Sequence, residues 1–147
     1  MSRRERRRES VDKMKILSRI PLFSSSTHDE LAKAAALFDE VTRPAGTMLV
    51  REGVPGSEFF VLVEGTVTAS VHGETLATLT AGDFFGEMSL LERAPRAATI
   101  TADTDVTLLV AEPRGFAALW STAPGVGVRM LRTMSSRLRS IEAAAHH

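Results

Sequence analysis

The sequence predicts a mainly β fold, an antiparallel sandwich or roll with helices at both ends, and three observations predict it. The middle of the chain reads as short β-rich runs punctuated by glycine. Between Thr47 and Val110 there is no room for the helices that a parallel sheet needs between its strands, apart from one turn near Glu87 to Leu91. Both ends carry apolar residues at helical spacing. A chain of 147 residues suits one domain with a core of its own.

The elements follow in order. Residues 1–10 form a basic arm with Arg3, Arg4, Arg6, Arg7 and Arg8, expected to be flexible and solvated, with contact to an acidic partner, lipid or nucleic acid as the alternative. Residues 11–38 hold two helices. The first carries Val11, Met14, Ile16, Leu17 and Ile20 and stops at Pro21; the second is capped from Ser25, Ser26 and Thr27, with Asp29 and Glu30 in its first turn. Residues 39–112 form the β region, with runs at Thr47 to Val50, Glu58 to Val63, Thr66 to Val71, Thr75 to Leu79, Ala97 to Ala102 and Val106 to Val110. Residues 113–143 return to helix. A short amphipathic stretch with Phe116, Leu119 and Trp120 ends near Pro124, and a final helix follows whose stripe of Val128, Leu131, Met134, Leu138 and Ile141 must be buried against something.

Composition removes several function classes. The chain has no cysteine, which rules out disulfides, thiolate catalysis and cysteine metal sites. The arginine-rich start is not followed by a continuous apolar stretch, so neither a signal peptide nor a membrane span is expected, and the protein is placed in the cytoplasm. Residues 1–19 hold 8 Lys/Arg against 3 Asp/Glu and the remainder 10 against 15, so the body lacks the broad basic surface of a nucleic-acid binder. His28, His72, His146 and His147 make no metal-ligand spacing and no nucleophile elbow is present, so no catalytic or metal-binding residues are assigned and the chain is not expected to be an enzyme.

One segment, residues 82–99, carries chemistry. Gly82 and Gly86 precede a one-turn helix that exposes the N–H groups of Gly86, Met88 and Ser89 to an anion, and Arg96 on the return can offer a planar fork to a phosphate. Glu87 only accepts hydrogen bonds, which suits a donor such as a sugar hydroxyl. By spacing alone a ligand site and a structural Glu87–Arg96 salt bridge remain equally open.

Phe85-Gly86-Glu87-Met88-Ser89-Leu90, followed by Arg93-Ala94-Pro95-Arg96-Ala97-Ala98-Thr99, resembles the phosphate-binding cassette of the cyclic nucleotide-binding domain family. That family includes regulatory subunits of cyclic AMP-dependent protein kinase, cyclic nucleotide-gated channels and the catabolite activator protein. The resemblance runs from about Ile16 to Glu142 and takes in Pro21-Leu22-Phe23, the turn Glu52 to Gly56, the run Phe60 to Gly65 and Ala81-Gly82-Asp83.

The resemblance implies a jelly roll, or antiparallel double-stranded β-helix, over residues 11–147, acting as a non-catalytic sensor with a cyclic nucleotide as ligand and no cofactor. Arg96 is then expected to pair with the cyclic phosphate and Glu87 to accept from the ribose 2′-hydroxyl. Gly86, Met88, Ser89, Ala97 and Ala98 complete the ligand-binding set, Gly86, Ser89 and Ala97 through backbone N–H groups. The residue after the cassette arginine is Ala97, which lacks the hydroxyl that favours guanine and points to cyclic AMP rather than cyclic GMP. The C-terminal helix is expected to close over the base through residues drawn from Arg132, Arg137, Leu138, Ile141 and Glu142. The chain leaves no length for the DNA-binding domain of the bacterial activators, and a homodimer or separate effector is expected on the last helix. The alternative is a β-roll with no nucleotide ligand that assembles through that helix.

Overall fold

The computed structural model describes residues 2–145; His146 and His147 lie outside them. Helix α1 spans Arg3–Ser18. The sequence alone places its start at Val11 and leaves residues 1–10 as a flexible arm, whereas the structure carries the helix back through the arginines. Arginine is a good helix former, and the Ser2 hydroxyl accepts from the Glu5 N–H at 3.1 Å to cap the end. A 3-10 turn at Pro21–Phe23 leads to α2, His28–Ala35, which opens with a capping box in which Thr27 and Glu30 satisfy each other's backbone N–H groups.

Two four-stranded antiparallel sheets follow. Strands β1 (Asp39–Arg43), β8 (Val106–Ala111), β3 (Phe59–Glu64) and β6 (Phe84–Phe85) make one, in the order β1-β8-β3-β6. Strands β2 (Met48–Val50), β7 (Thr99–Ala102), β4 (Thr66–Val71) and β5 (Glu74–Thr80) make the other, in the order β2-β7-β4-β5. This is the expected roll, with two strands that sequence runs did not mark. β1 is mostly polar and exposed, and β6 is only two residues long.

Strand β3 shows why its apolar run is unbroken. Phe59 and Val61 face the helices, where they meet Phe23, Phe38, Phe84 and Phe116, while Phe60 and Leu62 face the interior between the sheets with Phe85, Ile100 and Leu108. Side chains alternate across a strand, so burial of both faces requires apolar residues at every position. β6 repeats the device: Phe84 faces the helices and Phe85 stacks on Phe60 with ring centroids 4.8 Å apart. Two buried aromatics thus pin the residues from which the cassette departs.

After β8, α4 (Pro113–Thr122) and α5 (Pro124–Ala145) pack back on the first sheet. The packed stripe of α5 is Val126, Met130 and Met134. Of the stripe expected to be buried, Met134 alone is on that face, and Val128, Leu131, Leu138 and Ile141 are each more than half exposed. Two apolar stripes lie side by side on this helix, and periodicity does not say which one meets the body. Among the described residues no helix is long and apolar enough to cross a membrane.

Candidate functional site

The cassette is built on backbone hydrogen bonds. Gly82, with φ of +98°, donates its N–H to the Leu62 carbonyl at 2.7 Å, and the Asp83 carboxylate accepts from the Thr80 N–H at 2.9 Å, so the chain turns sharply off β5. α3, Glu87–Glu92, begins after Gly86, whose φ of +92° is a conformation glycine adopts without strain, and ends at Arg93 in the left-handed region. On the return, the Arg96 N–H donates to Val54 at 3.1 Å and the Arg96 carbonyl accepts from Gly53 at 2.8 Å. The turn Glu52 to Gly56, which follows β2, therefore clamps the arginine's backbone just ahead of β7, the strand paired with β2.

Arg96 is buried, with 8% of its surface exposed. Its Nη1 donates to the Gly86 carbonyl at 3.0 Å and to the Ser89 hydroxyl at 2.9 Å, and its Nη2 donates to the Glu58 carbonyl at 2.9 Å. These use three of the five guanidinium N–H groups. The two left, on Nε and Nη2, have no protein acceptor among the described residues. Burial pulls the Arg96 pKa down, and the carboxylates of Glu58 and Glu87 pull it back up.

Glu87 is 4% exposed and sits at the start of α3. Desolvation by burial raises its pKa, opposed by a backbone N–H and by the charges of Arg137 and Arg96. Its ion-pair partner is Arg137 of α5, Nη1 to Oε1 at 3.5 Å. Arg137 also donates from Nη2 to the Phe84 carbonyl at 2.7 Å and lies over the Phe84 ring, 4.5 Å from its centroid. The Glu87–Arg96 salt bridge that spacing left open is not formed among the described residues. Each residue has other partners, and the two act on each other only through their fields.

The structure groups the predicted residues unevenly. Gly86 and Ser89 hold the Arg96 guanidinium and Glu87 pairs with Arg137, whereas the Met88 side chain is exposed and Ala97 and Ala98 lie just past Arg96, Ala97 exposed and Ala98 half-buried. Of the five base-cover candidates, Arg137 hydrogen-bonds to the cassette; Arg132, Leu138, Ile141 and Glu142 stand exposed on α5. A cavity of about 250 Å³ opens beside Arg96, walled by Leu49, Val50, Val54, Gly56, Glu58 and Phe60. These wall residues had no assigned role in the sequence; the turn Glu52 to Gly56 and the run from Phe60 in the family resemblance were the signals pointing to them. A larger groove of about 560 Å³ lies between α3 and α4, against Leu90, Leu91, Phe116 and Trp120. It is mostly apolar and Arg96 is not among its lining residues, whereas Arg96 lines the smaller cavity.

Residues 40–123 match the family model of the cyclic nucleotide-binding domain. The chain belongs to that family. It is 38% identical over 105 residues to a cyclic AMP-dependent protein kinase regulatory subunit of Emericella nidulans, covering 70% of this chain and 26% of that protein. It is 33% identical over 132 residues to a cyclic nucleotide-gated potassium channel of Rhizobium etli, covering 90% and 37%. The chain thus spans a quarter to somewhat over a third of these relatives. Among solved structures, cyclic AMP-bound PfPKA-R superposes with a TM-score of 0.80 at 26% identity over 92% of this chain and 48% of that one. The catabolite activator protein of Thermus thermophilus gives 0.76 at 29% identity over 86% and 62%. The shared architecture is the family's β-roll with flanking helices.

Proposed function

We propose that this domain is a non-catalytic cyclic AMP sensor in which Arg96 binds the cyclic phosphate and Glu87 the ribose 2′-hydroxyl. The observation that carries the proposal is the state of Arg96: a buried cation, braced on one side by Gly86, Ser89 and Glu58, with two N–H groups left over at a cavity wall. One phosphate accepts that number of bonds from a guanidinium. Support for the nucleotide class comes from family membership and from the cyclic AMP named in the matched kinase subunit and bound structure.

Signalling runs through Glu87. Its carboxylate is held by Arg137 of α5, so a ribose hydroxyl donating to Glu87 acts on the group that tethers the last helix. The helix equilibrium shifts only as far as ligand affinity differs between its arrangements. The exposed stripe Val128, Leu131, Leu138 and Ile141 is then the surface through which a second copy or an effector senses the change. Ala97 favours cyclic AMP over cyclic GMP.

Calorimetric titration with both nucleotides tests the proposal. Cyclic AMP is expected to bind, more tightly than cyclic GMP, and Arg96→Ala to weaken it by about 2 kcal/mol or more. Absence of binding at millimolar nucleotide, or equal affinity in the Arg96 variant, refutes it.

A further inference from the structure

We propose that Gly56 is a positioning residue for Arg96: its missing side chain forms the slot in which the guanidinium lies, and the Ser89 hydroxyl latches it there. The inference rests on Arg96 being the phosphate ligand and extends the site to the loop between β2 and β3.

A Cβ added at Gly56 would overlap Arg96 Nε and Cζ and stand 2.7 Å from Cδ. Its backbone is outside the left-handed region, so conformational freedom is not what requires glycine there. What requires it is Arg96. On the other side, a Cβ at Gly86 would meet Arg96 Nη1 at 2.9 Å and the Glu58 carbonyl at 2.7 Å. The guanidinium is thus threaded between two glycines, one in the loop joining β2 to β3 and one at the start of α3. Gly86 also needs its positive φ, so Gly56 is the position at which the steric role stands alone.

The hydrogen bonds define what the slot achieves. Nη1 is taken by Gly86 and by Ser89, whose hydroxyl in turn donates to the Gly86 carbonyl at 3.2 Å. With Nη1 held, the free N–H groups are on Nε, the Arg96 atom nearest the missing Gly56 side chain, and on Nη2. A methyl at position 56 drives Cζ out of this place and breaks bonds to Gly86, Ser89 and Glu58 together, because all three accept from one rigid plane. Preorganisation of this kind lowers the cost of binding without a new ligand contact.

The test is a cyclic AMP titration of wild type, Gly56→Ala, Arg96→Lys and the double variant, with urea unfolding of each. Gly56→Ala is expected to weaken binding by about tenfold or more. In the Arg96→Lys background, which lacks the planar group, the same change is expected to cost less than about twofold. Wild-type affinity in Gly56→Ala, or an equal loss in both backgrounds, overturns the inference. Should Gly56→Ala not fold, Ser89→Ala takes its place: about fivefold weaker binding is expected from loss of one acceptor, and unchanged affinity overturns the latch. If the wild type binds no cyclic nucleotide, the sensor proposal fails by itself. The Arg96 Nε–Hε resonance then decides the positioning role, expected to shift in Gly56→Ala and not in His72→Ala; no shift in Gly56→Ala refutes it.

Discussion

Replacing Arg137 by alanine removes three interactions at once. The Phe84 carbonyl loses a charged donor at 2.7 Å, the Phe84 ring loses a cation at 4.5 Å, and the Glu87 carboxylate, 4% exposed, loses its ion-pair partner. A hydrogen bond from a charged group contributes about 1.5–3 kcal/mol and a partly exposed cation–π contact about 0.5–1. The Arg137 side chain is 30% exposed, and its 3.5 Å contact to Glu87 is long, so the full cost of breaking a buried pair does not apply. A loss of about 2 kcal/mol at neutral pH follows, a fall in Tm of about 4–8 °C for a domain of this size.

The dependence on pH is the sharper part. Glu87 already has a pKa raised by burial, and Arg137 is one of the groups opposing that rise. An acid with a raised folded-state pKa binds more protons when folded than when unfolded, between the two values. Stability therefore falls as pH climbs from the ordinary carboxylate range through the folded pKa. Arg137→Ala raises that pKa further and enlarges the penalty at high pH, while a protonated Glu87 feels little of the loss. Urea unfolding at pH 4.5 and pH 8 should show the variant's deficit growing with pH, and Glu87→Gln should abolish the growth. A deficit of equal size at both pH values, or one that persists in the Glu87→Gln background, would refute the coupling.

Further outcomes follow from the packing and from Ala97. Met130→Ala should destabilise the domain by about 2–4 kcal/mol in thermal or urea unfolding, since Met130 is fully buried, whereas Leu138→Ala should change monomer stability by less than about 0.5 kcal/mol. The reverse order would show that the wrong face of α5 has been assigned to the core. Phe85→Ala should cost about 3–4 kcal/mol by emptying the site stacked on Phe60, and should release the cassette as well; normal stability would count against β6 as its anchor. Ala97→Thr should raise cyclic GMP affinity relative to cyclic AMP severalfold by competition titration, and an unchanged ratio would remove Ala97 from base selection.

Much of the fold was legible because its signals are local. Glycines between short apolar runs marked the turns around β3, β4 and β5, and the cap candidates Ser25, Ser26 and Thr27 with Asp29 and Glu30 marked the start of α2. β1 and β6 escaped because an exposed polar strand and a two-residue strand carry no period to detect; pairing with β8 and β3 defines them. The helical course of residues 3–10 also escaped, since a run of like charges reads as solvated chain whatever its backbone does.

The residue pattern by itself singled out the segment that holds the candidate site, because Glu87, Ser89 and Arg96 lie within one short stretch whose glycines and helix turn are local features. It also determined that α5 has apolar residues to spare. Only the tertiary structure decided how those groups are paired. Arg96 is braced by the Glu58 carbonyl 38 positions away as well as by Gly86 of its own segment, and Glu87 is met by an arginine 50 positions away. It likewise decided that Val126, Met130 and Met134 are the buried stripe. Such choices depend on distances between residues far apart in the chain, and hydrogen bonds and van der Waals contacts act only across the few ångströms that folding closes.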